Sequence, residues 1–222
     1  MLPSYFDLSS PHAIGESFRK AFLFFRVRHF TLTRASRLNV LYTLADRLDR
    51  DVIPGAIVEC GVYRGGSAAV MAAASRGRRD VHLFDSFQGL PPPGDKDGRL
   101  AHERFHEGWC AADVAQVRAL LRQYLAADRL HIHAGWFHDT LPQARVGQIA
   151  VLHIDADWYE SVILCLRTFY DAVSPGGFVV LDDYGRWEGC TRATNDFLEE
   201  RGLHRVVTVR NPPEHFFQKP AG

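Results

Sequence analysis

The sequence has no excess of charge of either sign and no long apolar run. Over its 222 residues, 26 lysines and arginines balance 26 aspartates and glutamates, so the formal net charge is zero. A protein that binds nucleic acid usually has a basic excess or a basic stripe, so we expect no nucleic-acid partner. The apolar runs are far shorter than the ~20 residues that a membrane-spanning helix needs, so we also expect no membrane span.

Cysteine is scarce and scattered. The four cysteines are Cys60, Cys110, Cys165 and Cys190. They form no C-x-x-C pair, which predicts reduced thiols and gives no indication of a zinc site. Residues 1–12 also lack the basic segment followed by an apolar segment that marks a secretory signal. We therefore expect a cytoplasmic protein.

Two signatures of NAD-dependent and nucleotide-sugar enzymes are missing. In the glycine-rich stretch ECGVYRGGS, Tyr63 stands where the second glycine of G-x-G-x-x-G would be. That glycine lets a pyrophosphate approach the backbone, so a dinucleotide fits poorly. A Tyr-x-x-x-Lys pair is also absent, because Ile163 stands four residues after Tyr159. The sequence therefore disfavours this class of enzyme.

After residue 55, strand-like and helix-like segments alternate. The composition, 46% hydrophobic and 23% charged, is typical of a globular protein with one sizeable core. The predicted strands are 56–62, 80–87, 129–137, 148–156, 177–183, 204–211 and 214–220. The predicted helices between them are 65–76, 111–125, 159–173 and 190–202. This order predicts an α/β fold: a mostly parallel, seven-stranded sheet with helices on both faces and an antiparallel C-terminal hairpin at one edge.

The first 54 residues differ from the rest. Segments 14–30 and 33–52 have the spacing of amphipathic helices, and the sequence Pro54-Gly55 then stops the helix. We interpret residues 1–54 as a lid or oligomerisation segment of a single 222-residue domain whose core is 55–222. The alternative, a basic helix lying on a membrane surface, is disfavoured because one such segment without a lipid anchor binds weakly.

Acidic, glycine and aromatic residues follow three of the predicted strands. They occur at Glu59–Ser67, at Asp85-Ser86 and at Gly135–Phe137. Sheets of this kind bind ligands at the carboxyl ends of their strands, where an acid can accept hydrogen bonds from ribose. The aromatic pair offers a surface for adenine, although aromatic residues after a strand are also common in cores. Together they predict a nucleoside cofactor without phosphates, such as S-adenosylmethionine (SAM).

Four aspartates follow the next two strands. Asp155 and Asp157 end one strand, and Asp182 and Asp183 end the other. Converging carboxylates repel one another unless a cation lies among them, and Mg²⁺ prefers oxygen ligands. Such a cation can lower the pKa of a substrate hydroxyl, which then attacks the methyl group of SAM. Helix capping is the alternative explanation, for the Asp182–Asp183 pair and especially for Asp157.

Five segments in this order and spacing closely resemble the macrocin O-methyltransferase family. They are ECGVYRGGS, FDSFQGLP, GWFHDTLP, HIDADWYES and PGGFVVLDDYG, and the resemblance runs from about residue 34 to residue 196. It implies a Rossmann-like class I methyltransferase that uses SAM and Mg²⁺ to methylate sugar hydroxyls in antibiotic biosynthesis.

The resemblance also implies roles for individual residues. The metal ligands map onto Asp155, Asp182 and Asp183. The cofactor positions map onto Glu59, Gly61, Tyr63, Arg64, Gly65, Gly66, Ser67, Asp85, Ser86, Gly135, Trp136, Phe137 and Asp155. The catalytic residues are Asp155 and Asp157, either of which can be the base, and His102, His106 and Glu107 are further candidates for it.

The acceptor is expected to be a small molecule with a free hydroxyl, and the protein is expected to form a homo-oligomer. A sugar or natural product is the first expectation, and a catechol-like or other vicinal diol is the alternative, because its adjacent oxygens could chelate the metal. The aromatic residues Phe105 and Trp109 favour a flat ring. A protein that binds SAM without catalysis is disfavoured because the four aspartates are intact.

Overall fold

Seven strands form one sheet in the computed structural model, which describes residues 7, 9–203, 207–209 and 214–220. The strands are β1 (Ala56–Cys60), β2 (Val81–Asp85), β3 (Leu130–Ala134), β4 (Ile149–Ile154), β5 (Val173–Leu181), β6 (Val207–Val209) and β7 (Glu214–Gln218). Their order across the sheet is β3-β2-β1-β4-β5-β7-β6. The first five strands are parallel, and β7 is antiparallel to β5 and β6. This confirms the predicted sheet and its C-terminal hairpin.

Helices cover the sheet on both faces. They are α1 (Pro11–Val27), α2 (Ala35–Arg50), α3 (Gly66–Ala74), α4 (Gly98–Arg104), α5 (Val114–Leu121), α6 (Phe137–Thr140), α7 (Tyr159–Phe169) and α8 (Glu188–Glu200). Helix α1 begins after Ser10, whose Oγ accepts a hydrogen bond from the N–H of Ala13, and Pro11 fits the first turn. Among the described residues, no helix combines the length and the apolar character needed to cross a membrane.

Two hydrophobic clusters lie on opposite faces of the sheet. One contains Leu41 of α2, Met71 of α3 and Leu121 of α5. The other contains Leu166 of α7 and Phe197 of α8. The first two helices therefore pack into the same core as the sheet, while the division of the chain after residue 54 and the lid or oligomer role of residues 1–54 stay predictions.

Several predicted boundaries differ from the observed ones, and two of the differences have a clear physical cause. The strand predicted for 129–137 ends at Ala134, because Gly135 turns the chain at a φ of 146° and α6 begins two residues later. The helix predicted for 159–173 ends at Phe169, and β5 already begins at Val173. Pro175 fits inside β5 because the register between β4 and β5 shifts there, and a bulge tolerates proline.

Residues 204–206 and 210–211 of the penultimate predicted strand lie outside the described residues. The loop rich in proline and glycine, residues 89–99, leads directly into α4, a helix that the sequence pattern did not predict.

Candidate active site

The turn after β1 lies directly against the end of β4. Gly61 has a φ of 86°, and a Cβ atom there would meet the carbonyl oxygen of Asp155 at 1.8 Å. Only glycine fits such an approach. The predicted glycine turn and the first predicted aspartate are therefore neighbours at the carboxyl edge of the sheet.

Asp85, at the end of β2, holds this turn in place. Its Oδ2 accepts hydrogen bonds from the N–H groups of Val62 (2.6 Å) and Tyr63 (2.9 Å), and its Oδ1 accepts one from Phe87 (2.7 Å). Burial raises the pKa of Asp85, and the three bonds oppose that rise. The carboxylate thus shapes the turn, and its predicted contact with ribose stays a prediction.

A cavity of about 1270 Å³ opens at this edge of the sheet. Eight of the predicted cofactor residues line it: Gly61, Tyr63, Ser67, Asp85, Ser86, Trp136, Phe137 and Asp155. The volume is ample for a nucleoside cofactor beside a second small molecule. The aromatic pair at the start of α6 is half-buried and faces the cavity, so the structure does not place it wholly in the core.

The other five predicted cofactor residues do not line the cavity. They are Glu59, Arg64, Gly65, Gly66 and Gly135. Glu59 is wholly buried within β1, where its Oε1 lies 2.8 Å from Nδ1 of His153. The N–H of Gly66 donates to the carbonyl oxygen of Phe30 and ties the start of α3 to the segment after α1. These residues build the floor and flank of the site in this structure and do not form its surface.

Three aspartates converge at one side of the cavity. Carboxylate oxygens of Asp155, Asp157 and Asp183 lie within 4.8 Å of one another. The N–H of Asp157, at a φ of 53°, donates to Oδ2 of Asp183 at 3.3 Å. A left-handed backbone is uncommon outside glycine and often marks a functional position. The grouping provides the oxygen ligands that a hard divalent cation requires.

The electrostatics of these carboxylates follow from burial and from mutual repulsion. Burial, and then the charges of Asp182 and Asp183, raise the pKa of Asp155 well above its ordinary value. Burial and the charge of Asp182 raise the pKa of Asp183 to about 6. Burial, and then Asp183, also raise the pKa of Asp157. A cation among them would relieve this repulsion.

Asp182 differs from the grouping that the sequence predicted. Its Oδ2 forms an ion pair with Nη1 of Arg37 at 2.7 Å, and its Oδ1 lies 4.0 Å from Nε2 of His153. It still lines the cavity beside Asp155 and Asp183. The predicted metal set is therefore only partly reproduced, because Asp157 converges with these two aspartates and Asp182 faces Arg37.

Helix capping does not explain the aspartates. The N–H of Tyr159, at the start of α7, donates to Oδ1 of Asp97 at 2.6 Å, so a residue from the preceding loop caps this helix. Helix α8 begins at Glu188 with Trp187 as its N-cap, and no side chain caps it. The capping alternatives for Asp157 and for the Asp182–Asp183 pair are therefore wrong.

The loop before α4, residues 89–97, supplies one wall of the cavity. The indole N–H of Trp158 donates to the carbonyl oxygen of Pro91 at 2.8 Å, which fixes the loop to the start of α7. Trp109 also lines the cavity and meets Trp158 edge to face, with ring centroids 6.4 Å apart. The wall is therefore aromatic and well anchored.

The further candidates for the catalytic base are not in this site. His102, His106 and Glu107 are exposed and do not line the cavity. His102 lies 3.2 Å from the carbonyl oxygen of Gly94, and His106 stacks on Trp109. In this structure none of the three therefore borders the cavity that the aspartates line.

Sequence reasoning missed six charged residues that line the cavity: Arg34, Arg37, Asp97, Glu160, Arg167 and Arg186. Arg37 comes from α2, Asp97 from the proline-rich loop, and Arg186 from the segment before α8. Arg37 is 145 positions from its partner Asp182, and neither Arg37 nor Asp97 belongs to a recognisable motif. Arg186 stands three residues after Asp183, and its proximity to the paired aspartates was a signal that could have found it.

Similarity to known proteins agrees with the geometry. The family model described as Macrocin-O-methyltransferase (TylF) matches residues 13–218. The 8-demethyl-8-(2,3-dimethoxy-alpha-L-rhamnosyl)-tetracenomycin-C 4'-O-methyltransferase of Streptomyces olivaceus is 39% identical over 189 residues, which cover 80% of this chain and 71% of that protein. The demethyldecarbamoylnovobiocin O-methyltransferase of Streptomyces niveus is 34% identical over 176 residues, which cover 75% and 67%.

A solved structure extends the similarity to three dimensions. The O-methyltransferase NovP has a TM-score of 0.76 and 32% identity, over 86% of this chain and 82% of that one. The match to the family model spans nearly all described residues. The chain therefore belongs to the macrocin O-methyltransferase family and, with it, to the O-methyltransferases.

Proposed function

We propose that this protein transfers a methyl group from SAM to a hydroxyl group of a sugar or natural product in antibiotic biosynthesis, with Mg²⁺ held by its aspartates. The observation that carries the proposal is the convergence of Asp155, Asp157 and Asp183 beside the glycine turn. The relatives named above act on glycosylated or related natural products according to their names, which supports the acceptor class.

The glycine-turn side of the cavity suits SAM. Gly61 and Ser67 lie near the start of α3, where the backbone can approach a ligand closely. Trp136 and Phe137 provide an aromatic surface for adenine. The sulfonium of SAM is positive, and nearby carboxylates favour such a charge.

The donor set fits a hard divalent cation. Asp155 and Asp183 belong both to the predicted ligands and to the converging group. We assign these two as ligands with Asp182 as the third, and Asp157 as the base next to them. When bound, Mg²⁺ would lower the pKa of a hydroxyl that it contacts.

The residues of the chain itself have separate tasks in this reaction. Asp157 accepts the proton of the acceptor hydroxyl, because its carboxylate lies beside those of Asp155 and Asp183. Trp109 and Trp158 line the acceptor side and exclude water.

The acceptor class has one alternative. The two tryptophans offer flat apolar surfaces that would suit a catechol-like ring as well as the apolar face of a sugar. A vicinal diol of either kind would present two oxygens to the same cation.

Methyl transfer from labelled SAM tests the proposal. Purified protein with Mg²⁺ is incubated with a panel of rhamnosides, other glycosides and catechols, with and without a chelator. We expect label on a glycoside, loss of turnover on chelation and recovery with Mg²⁺. Turnover that persists in the chelator would contradict the role of the cation, and label on catechols alone would favour the alternative acceptor.

We infer a homo-oligomer that contacts itself through α1, because Phe22 and Phe25 on this helix are more than 60% exposed.

All four cysteines are free thiols, which supports a reducing compartment such as the cytoplasm.

A further inference from the structure

Four ionisable side chains from different elements form a line that passes through Asp182. Asp182 is one of the four aspartates of the site, which together are called the aspartate cluster. Glu59 is in β1, His153 in the neighbouring β4, Asp182 directly after β5, and Arg37 in α2. Oε1 of Glu59 lies 2.8 Å from Nδ1 of His153. Nε2 of His153 lies 4.0 Å from Oδ1 of Asp182, and Oδ2 of Asp182 lies 2.7 Å from Nη1 of Arg37. The line therefore crosses the sheet beneath the cavity.

The inner end of this line is entirely shielded from water. The side chains of Glu59 and His153 are both 0% exposed. Among the residues that the structure describes, the bond to His153 is the only hydrogen bond of the Glu59 carboxylate, because its Oε2 has no partner. A buried carboxylate is costly, and an apolar residue at this position would often be more stable. The burial of Glu59 is therefore explained by its hydrogen bond to His153, and packing alone does not explain it.

This bond fixes the orientation of the imidazole ring. Oε1 of Glu59 and Nδ1 of His153 share a hydrogen bond of 2.8 Å, which restricts rotation of the ring. The opposite nitrogen, Nε2, is then directed towards Oδ1 of Asp182. Arg37 binds the other oxygen from the opposite side. The carboxylate of Asp182 is therefore held between a strand and a helix.

We propose that Glu59 and His153 are positioning residues for the aspartate cluster. Glu59 orients the ring of His153, the ring and Arg37 orient Asp182, and the orientation of Asp182 sets the affinity of the cluster for a divalent cation. Partners behind a ligand commonly act in this way, since they restrict the ligand to its binding geometry. The inference rests on the cation site of the proposed function, and it gives Glu59 a role other than contact with the cofactor.

Binding measurements on variants of Glu59 and His153 test this role. Glu59→Gln keeps the size of the side chain and removes its charge, and His153→Gln removes the ring. Calorimetry on each full-length variant measures the Kd for Mn²⁺ and, separately, the Kd for SAM. We expect Mn²⁺ to bind about tenfold more weakly, in line with the typical effect of losing such a partner, while the SAM Kd stays within about twofold.

His82→Gln is the matched control. His82 is also a buried histidine of the sheet, in β2, and it pairs with His133, not with an aspartate of the site. We expect its Mn²⁺ affinity to equal that of the wild type.

The outcomes separate this inference from the proposed function. If the wild type binds no Mn²⁺, the cation site itself is wrong. If the wild type binds Mn²⁺ and Glu59→Gln binds it equally well, the positioning role alone is wrong. Weaker SAM binding with unchanged Mn²⁺ binding would also overturn it, in favour of a direct contact between Glu59 and the cofactor. Should His153→Gln not fold, Glu59→Gln decides the matter.

Discussion

At Gly61 the cofactor side of the cavity lies directly against its cation side. No residue with a side chain fits at this position, because a Cβ would overlap the carbonyl oxygen of Asp155, the first aspartate of the cluster. The cofactor side and the cation side of the cavity thus depend on one backbone contact. A change at this position should disturb both.

Gly61→Ala compared with Gly108→Ala measures that contact. Both glycines have positive φ, of 86° and 76°, but a Cβ at Gly108 would have no atom within 4 Å. We expect Gly108→Ala to cost about 1–2 kcal/mol, the strain of the left-handed backbone. Gly61→Ala should cost about 3 kcal/mol or more, because the backbone must also move. Urea unfolding gives both values, and equal costs would show that the close approach is not present.

Asp182→Asn compared with Asp157→Asn separates the ligand from the base. Both changes preserve shape and remove one negative charge. We expect Asp182→Asn to weaken Mn²⁺ binding at least about tenfold. Asp157→Asn should lower kcat by about 10²–10⁴-fold with little change in the Kd for Mn²⁺. The reverse pattern would make Asp157 the ligand, as its present position beside Asp155 and Asp183 allows.

At the scale of elements, the sequence predicted where the strands end. It did not predict which side chains from other elements contact the aspartates at those ends. Apolar runs that stop at Asp155 and at Asp182 identified β4 and β5 and placed both pairs of aspartates at one edge. The choice of partner for each carboxylate could not be predicted, because it depends on α2. Arg37 lies on that helix, and its position relative to β5 is set by packing of the whole core.

Capping was mispredicted for a related reason. The residue that caps α7 is Asp97, 62 positions away, whereas the sequence offered Asp157 immediately before the helix. A local sequence pattern indicates only a nearby residue as the helix cap. In the folded protein, a residue from a distant loop can occupy that position instead. The same applies to Glu59, whose place at the end of a strand favoured contact with a ligand until the neighbouring strand placed His153 beside it.

The pairing of β2 with β3 gives a prediction on pH. Burial, and then the charges of His131 and His133, lower the pKa of His82 to about 4. The unfolded chain would bind a proton near its ordinary value, about 6.5. Between these values the unfolded state holds more protons, so this histidine costs stability as the pH falls from about 6.5 towards 4.

His82→Gln should therefore reduce the loss of stability between pH 7 and pH 5. Thermal unfolding of the variant and of the wild type at both pH values measures the difference. Asp183, whose pKa is raised to about 6, also titrates in this range, but it is common to both proteins and its effect cancels. His138→Gln, at an exposed position, serves as the control. An identical pH dependence in His82→Gln and in the wild type would refute the assignment.

At the scale of the whole molecule, the cavity draws on most of the fold. Its lining extends from Thr31, before α2, to Arg186, before α8, and includes the ends of all five parallel strands or the loops that follow them. The first helices, which the sequence set apart as a possible lid, supply Arg37 and pack into the common core. Site and fold are thus built together.

The most direct test of the cation site is anomalous scattering from crystals of the protein soaked in Mn²⁺. We expect one strong peak per chain at the carboxyl edge of β4 and β5, within about 2.0–2.6 Å of carboxylate oxygens of Asp155 and Asp183, the range for hard divalent cations. A molecule that transfers methyl groups but shows no peak at this cluster, with the Asp155 carboxylate turned away from Asp183, would contradict the proposed chemistry.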